Sequence, residues 1–451
     1  MLTLDQIAAQ LQGYDPQALK ASDVNEFLSR MVVPVQQTER VGIFLALNRV
    51  LAQDLVSPIN VPPHDNSAMD GFAFYGRQLH ASEPTTLRVV GTAFAGAAWQ
   101  GVIKPGECLK VMTGTVLPSG LDTVVPHEMV QIANQSSAQT ITIPAGILST
   151  GDNRRLKGED IKVGSAALLK GDRLSPAALG LIASLGIAQV SVWRKLRVAY
   201  FSTGDEILSL GESVREGAVY DSNRYTVFGL LSRMGVEMID LGAVRDDPAI
   251  LEATFLSAAA QADAVITSGG VSVGEADHTK TMMKKLAGSA GGVAFWRVAM
   301  RPGRPMAVGR IERPKAPDSS GTNNSAIQFG LPGNPVAVMV TFLAFLRPAL
   351  LQMMGCRPES QAYLRARSVV PIRKKPGRTE YQRGVVTTAP DGNLEVKITG
   401  DQGSGVLSSM VQASGYCASP RPGQCCGGRS GGCDDVLRCD LAASQSRRSN
   451  F

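Results

Sequence analysis

The run Thr267-Ser268-Gly269-Gly270-Val271-Ser272-Val273-Gly274-Glu275-Ala276-Asp277 sets glycines, hydroxyls and two carboxylates between an apolar segment and a helix start. Glycines let backbone N–H groups close around an anion, and a helix N-terminus favours negative charge. Glu275 and Asp277 would repel that anion, so the combination makes chemical sense when a divalent cation bridges carboxylate and phosphate oxygens. The motif reads as a metal-assisted phosphate site.

A second constellation is cationic. Arg297, Arg301 and Arg304 alternate with Pro302, Gly303 and Pro305, which fix the backbone so that the guanidiniums project in a defined way toward an oxyanion. Upstream, Pro62-Pro63-His64-Asp65-Asn66-Ser67-Ala68-Met69-Asp70-Gly71 reads equally as a functional turn or an ordinary capped one. In Gly151 to Asp160, Arg154 and Arg155 could hold oxyanion oxygens, with Glu159 and Asp160 on metal or ligand. A solvated charged face explains that segment as well. His278 reads as a solvated or capping residue, and the four histidines contain no pair at ligand spacing, which argues against a histidine zinc site.

These groups need a scaffold, and from Lys195 to about Gly355 the sequence alternates strand and helix. Arg197 to Ser202, Val236 to Val244, Ala264 to Ser268, Val293 to Ala299 and Ile327 to Leu331 are short apolar runs, as in a parallel sheet covered on both faces. Helices are expected at Ser222 to Met234, Pro248 to Ala262, Thr279 to Leu286 and Pro335 to Met354, the last opened by Asn334 and Pro335. The fold expected here is a doubly wound α/β domain. Ligands bind such sheets outside the carboxyl ends of the strands. Thr203-Gly204-Asp205-Glu206, Arg245-Asp246-Asp247, Ser268 to Asp277, Arg301 to Arg304 and Leu331-Pro332-Gly333-Asn334 all fall on that rim.

On either side the pattern changes. Asp23 to Met31 and Arg40 to Leu51 read as helices, Leu87 to Lys170 as short β runs punctuated by Gly and Pro, and Leu174 to Leu185 as helix again. From Arg357 a further β-rich unit begins, with strands at Ala366 to Ile372, Arg383 to Thr388 and Leu394 to Ile398. After Ser414, apolar periodicity vanishes. Five of the seven cysteines crowd there without paired metal spacing, so a disordered or out-of-frame tail is expected.

The 451 residues suggest about three domains at roughly 150 residues each. A net charge of +6 with no basic stretch interleaved with aromatics argues against nucleic-acid binding. The first residues lack a signal-peptide pattern, and Val338 to Met354 is too short and broken by Arg347-Pro348 to span a bilayer, so no membrane partner and a cytoplasmic location are expected. Isolated Cys108 and Cys356 suit a reducing compartment.

The ordered set of Asp65 to Gly71, Met112-Thr113-Gly114, Gly158-Glu159-Asp160, Ser202 to Glu206, Tyr220 to Arg224, Arg245-Asp246-Asp247, Ser268 to Asp277 and Leu331 to Pro335 closely resembles the molybdopterin molybdenumtransferase family. The likeness runs over roughly residues 20 to 413. It implies a split N-terminal domain (1–57 and 152–192), a β-rich insertion (58–151), a central molybdopterin-binding α/β domain (193–355) and a C-terminal β domain (356–413, incomplete), followed by the anomalous tail 414–451. It also implies a homodimer whose cleft joins the α/β domain of one subunit to the N-terminal parts of the other. The implied reaction inserts molybdate into adenylylated molybdopterin and releases AMP, with Mg2+ or another divalent ion. Molybdenum-cofactor enzymes or chaperones would be further partners.

By the same resemblance Asp70, Thr113, Asp160, Glu206, Asp246 and Asp277 match functional positions, and Arg297 and Arg301 stand where lysine is usual. Glu275 or Asp277 with Glu206 would hold the metal, and Gly269 to Gly274 would cradle phosphate. Thr203, Gly204, Asp205, Ser268, Ser272, Pro332, Gly333 and Asn334 would complete the substrate site. Arg301 and Arg304 would stabilise molybdate or developing phosphate charge. Two other readings are a molybdopterin adenylyltransferase, which would not need the segments around Asp70 and Asp160, and a scaffold like the gephyrin E-domain. Asp277→Asn is expected to lower turnover sharply with folding intact, checked by AMP release and circular dichroism; unchanged turnover removes the metal role.

Overall fold

A computed structural model describes residues 2–135, 138–271, 278–286, 292–313, 325–358, 364–372, 377–419 and 436–440. The chain divides into two compact units, one of residues 1–39, 48–52 and 191–451, the other of residues 40–47 and 53–190.

The first unit is organised by a six-stranded sheet. Its N-terminal helices are α1 (Leu4–Ala9) and α2 (Ala21–Met31). Then come β1 (Arg197–Thr203), α3 (Ser222–Met234), β2 (Glu237–Val244), α4 (Pro248–Gln261), β3 (Ala264–Ser268), α5 (His278–Leu286) and β4 (Val293–Arg297). The short β5 (Met300–Arg301) leads to β6 (Pro305–Glu312), β7 (Ser325–Leu331), α6 (Pro335–Thr341) and α7 (Arg347–Met353). The sheet order is β2-β1-β3-β7-β6-β4. The first four strands run parallel, while β6 is antiparallel to β7 and β4 antiparallel to β6. The sheet is therefore mixed, and β6 is an element that the apolar-run criterion passes over. Gly309 and buried Arg310 interrupt its apolar pattern, and Arg310 is accommodated by donating to the carbonyls of Leu2 (2.7 Å) and Met31 (2.9 Å).

Alternation along the strands makes two cores. Val198, Tyr200, Ile266, Phe329 and Leu331 face α3, α6, α7 and α2. Ala199, Phe201, Val265, Ala307 and Ala326 face α4 and α5, where Phe255 meets Phe201 edge-on at 4.9 Å. Asp247 caps α4 through Ala249 and Ile250 N–H groups, and Gly235 closes α3 in the left-handed conformation. The run Pro335–Met353, with a π turn at Phe342–Leu346, is apolar enough to cross a membrane by composition, yet 67% of its most apolar stretch is buried in this unit. It is a core helix.

The last sheet is a closed ring. β8 (Leu364–Ser368), β9 (Thr379–Thr388), β10 (Leu394–Ile398), β11 (Gly415–Ser419) and β12 (Val436–Asp440) follow in the order β9-β10-β8-β12-β11, and β11 pairs back onto β9. The composition of the tail predicts no order, but these two tail segments supply the strands that close the ring. Backbone pairing to the free edges of β8 and β9 does not require an apolar run.

In the second unit, strands Gly71–Phe74, Thr85–Ala93, Glu107–Val111, Thr123–Pro126, Gln131–Gln135 and Ala138–Ile143 form one sheet. Arg40 to Leu51, expected as a helix, is instead a strand at Thr38–Gly42 and a single 3-10 turn at Ile43–Leu45. The Ile43 N–H donates to the Ala188 carbonyl, and Phe44 stands fully exposed, so no apolar helical face is buried there.

At the base of the α/β sheet, the half-buried carboxylate of Asp263 accepts two bonds from Arg194 (2.8 and 2.9 Å), one from the Arg197 N–H (2.9 Å) and a longer one from Arg313 (3.4 Å). Burial raises its pKa, but the Arg194 and Arg197 bonds and the two arginine charges outweigh that, and the net shift is downward. A depressed folded pKa gives stability that is present above the unfolded value and lost as pH falls through the folded one. Asp263→Asn is expected to cost about 3 kcal/mol at neutral pH and to flatten the loss of stability on the acid side, as read by urea unfolding at several pH values. An unchanged acid limb would rule out this coupling.

Candidate functional site

The carboxyl ends of β1, β3 and β7 open onto a cavity of about 530 Å3. Its wall includes Gly269 and Gly270 after β3, Pro332, Gly333 and Asn334 after β7, and Glu206 beyond β1. Gly269 and Gly270 take φ of +89° and +64°, and a β-carbon would lie 2.5 Å from the Thr203 carbonyl oxygen at the first and 2.5 Å from Thr279 Cβ at the second. Only glycine fits this turn, which leaves backbone bare toward the cavity. Asn223, at the start of α3, donates to the Gly333 carbonyl at 2.7 Å and ties the third loop down.

The basic wall is built by backbone constraint. Arg297 and Ala299 N–H groups donate to the carbonyls of Pro16 and Leu19, both at 2.8 Å, and Val298 N–H to Arg304 at 2.7 Å. β5 pairs with β9 of the closed ring. Gly303 has φ of +93°, and a β-carbon there would lie 2.5 Å from the buried Thr341 hydroxyl of α6. Arg301 and Arg304 therefore stand on a rigid loop, exposed on the cavity wall.

The closed ring adds Arg378, Gln402 and Ser404, which sequence reasoning missed. Buried Arg383 donates to the carbonyls of Asp401 (3.2 Å) and Gly403 (2.9 Å) and to the Ser409 hydroxyl (3.0 Å), and Gln402 Oε1 accepts from the Arg383 N–H at 2.8 Å. This clasp delivers Ser404 to the cavity. The signal for Arg378 was its place just ahead of a strand, but its partners lie far away in sequence.

The remaining expected residues divide. Ser272, Gly274, Glu275 and Asp277 lie outside the described residues. Thr203 is buried, and its carbonyl packs on Gly269. Ser268 is also buried, its hydroxyl bonded to Tyr200 and Ser202 beneath the rim. Asp205 Oδ1 accepts from the Asp246 N–H at 3.4 Å and links two rim loops. Arg297 ends β4, and neither it nor Gly204 is on the cavity wall.

In the other unit, Asp70 and Thr113 are brought together by paired strands, Gly71 lying opposite Val111. Asp70 Oδ1 accepts from Thr113 N–H at 2.6 Å and from its hydroxyl at 2.7 Å, and these bonds hold the carboxyl below the usual carboxylate range. Asp65 accepts from the Lys157 N–H at 2.7 Å and pairs with Arg154 at 3.6 Å. Asp160 is exposed, its N–H donating to the Val61 carbonyl.

Three family models match the chain: "MoeA N-terminal region (domain I and II)" over residues 19–186, "Probable molybdopterin binding domain" over 199–352 and "MoeA C-terminal region (domain IV)" over 365–422. A relative from Haemophilus influenzae named molybdopterin molybdenumtransferase is 38% identical over 92% of this chain and 93% of its own. One of the same name from Nostoc is 35% identical over 85% of each chain. The crystal structure of a molybdopterin biosynthesis moeA protein from Pyrococcus horikoshii is similar with a TM-score of 0.73 at 26% identity, covering 94% of this chain and all of that one.

Removing the Thr113 hydroxyl tests the Asp70 geometry. Thr113→Ala is expected to raise the Asp70 pKa partway, since the N–H bond remains, as followed by carboxyl NMR titration. An unmoved titration would show that the hydroxyl bond is not made in solution.

Proposed function

The chain belongs to the molybdopterin molybdenumtransferase family, and on that footing we propose that it inserts molybdate into adenylylated molybdopterin, releasing AMP, in the cavity just described. The observation that carries this reading is a single cavity that joins a bare glycine turn and Glu206 to Arg301, Arg304, Arg378 and Ser404. Both substrates are anions, a phosphoanhydride and a tetrahedral oxyanion. A glycine turn suits the first, and fixed guanidinium forks suit the second.

In the proposed reaction a water oxygen adds to a phosphorus of the phosphoanhydride as its bridging P–O bond breaks, giving AMP and the pterin phosphate, while the two dithiolene sulfurs replace molybdate oxygens that leave, with protons, as water. The Gly269 N–H is taken by the Leu331 carbonyl at 3.2 Å, so the Gly270 N–H would be the donor to the phosphate oxygens. Arg301, Arg304 and Arg378, with the Ser404 hydroxyl, would hold molybdate and offset charge that develops as AMP departs, a preorganised electrostatic role. Arginine in place of lysine at 301 gives the oxyanion a two-pronged partner.

Mg2+ or another divalent ion fits this donor set. Among the described residues no group of three carboxylate, histidine or cysteine side chains could hold a metal ion, whereas Mg2+ commonly takes one or two carboxylates plus substrate phosphates. Glu206 is the carboxylate on the cavity wall, and Glu275 or Asp277 is the proposed second. When bound, the ion would neutralise phosphate charge.

Asp70, Thr113 and Asp160 act, in this proposal, on the cavity of the second subunit of a homodimer. Fully exposed Phe44 with Leu45 on one unit, and half-exposed Tyr225 and Phe228 on α3 of the other, are apolar surface that association would cover. The cytoplasm is the proposed setting, and molybdenum-cofactor enzymes or chaperones are the proposed recipients of product.

Mixing two damaged proteins tests this arrangement. Asp70→Asn and Arg301→Ala should each lose most activity alone. Unfolded and refolded together in equal amounts, they should regain about a quarter of wild-type activity, because half the dimers are mixed and each mixed dimer has one intact site. Absence of recovery in a mixture shown to form mixed dimers would place the whole site within one subunit. Arg378→Ala should raise the molybdate concentration for half-maximal AMP release about tenfold or more, and an unchanged value would exclude its proposed role.

A further inference from the structure

Three hydroxyls lie buried directly beneath the glycine turn. Tyr200 and Ser202, two apart on β1, point to one face of the sheet, and Ser268 ends β3 opposite Ser202 in register. The Tyr200 hydroxyl is 2.7 Å from Ser268 Oγ and 2.9 Å from Ser202 Oγ, and the two serine oxygens are 3.2 Å apart. All three residues are at most 2% exposed. Each hydroxyl has one proton to donate and can accept in turn, so a closed triangle satisfies all three and leaves none over for a ligand. Burying a phenol costs stability unless its O–H is used, and phenylalanine would fill the same space.

The position of the triangle matters. Ser202 is followed by Thr203-Gly204 and Ser268 by Gly269-Gly270, and the Thr203 carbonyl sits where a side chain on Gly269 would be. The two turns are therefore in contact, and the last fixed point below each is a member of the triangle. We infer that Tyr200 is a positioning residue for the phosphate-holding turn: its hydroxyl fixes the spacing of the β1 and β3 ends so that Gly269, whose N–H is held by the Leu331 carbonyl at 3.2 Å, presents the Gly270 N–H to the nucleotide phosphate. This inference rests on the proposed reading of the turn as a phosphate site. Tyr200 touches no substrate, and Ser268 serves the site from below rather than by contact.

The test compares Tyr200→Phe with Phe255→Leu, a change in the opposite core of the same sheet that disturbs packing but leaves the triangle intact. AMP binding with Mg2+ is measured by calorimetry, and steady-state kinetics with adenylylated molybdopterin accompany it. Tyr200→Phe is expected to weaken AMP about tenfold, the scale of one misplaced phosphate hydrogen bond, and to raise KM with kcat within about twofold. Phe255→Leu should lower the melting temperature by a comparable amount and leave AMP affinity within about twofold. Unchanged AMP affinity in Tyr200→Phe, or equal losses in both variants, would overturn the positioning role while wild-type binding upholds the phosphate site. Failure of the wild-type protein to bind AMP would overturn both.

Discussion

Three guanidiniums on one small cavity repel each other, and the architecture of the α/β unit is what keeps them there. Arg301 and Arg304 cannot retreat, because the backbone from Arg297 to Arg304 is hydrogen-bonded to Pro16 and Leu19 on one side and paired through β5 with β9 on the other. Like-charge clustering of this kind is unfavourable in the empty protein and is offset when a polyanion enters. With Glu206 as the single acidic side chain on its wall among the described residues, the cavity is thus preorganised for more negative charge than it contains.

That constraint explains why pieces from both ends of the chain converge on the sheet. The N-terminal segment supplies carbonyls, the closed ring supplies Arg378 and Ser404, and the sheet supplies the glycine turn. The first two segments are each secured by a buried cation that meets carbonyls rather than carboxylates. Arg310 holds Leu2 and Met31, and Arg383 holds Asp401 and Gly403. Burial lowers the pKa of both guanidiniums without depriving them of protons in any ordinary buffer.

The parts that could be read from the sequence are those whose physics is local. The glycine turn, the Asn334-Pro335 helix start and the four parallel strands each carry their signal within a few residues, and the glycines, Pro332 and Asn334 do reach one cavity. Arg378 and Ser404 could not be found that way, because a β domain placed them through pairings distant in sequence. Ser268 shows the reverse failure: a hydroxyl in a phosphate motif was expected to face ligand, whereas strand alternation turns it inward toward Tyr200. Arg40 to Leu51 has helix-compatible composition, yet the Ile43 N–H is taken by Ala188. The strands Gly415–Ser419 and Val436–Asp440 depend on open edges of β8 and β9, which no tail composition reveals.

The clasp of Arg310 on Met31 also sets an order of events during synthesis. The apolar side of α2, with Val24, Phe27, Leu28 and Met31, packs in the same core as Phe345 and Leu350, and α2 meets α7 directly. At about 5–20 residues per second, the ribosome needs roughly 15–60 s to make the intervening chain. Throughout that interval the apolar side of α2 has only α1 to pack against and lacks the α7 surface that covers it in the finished fold.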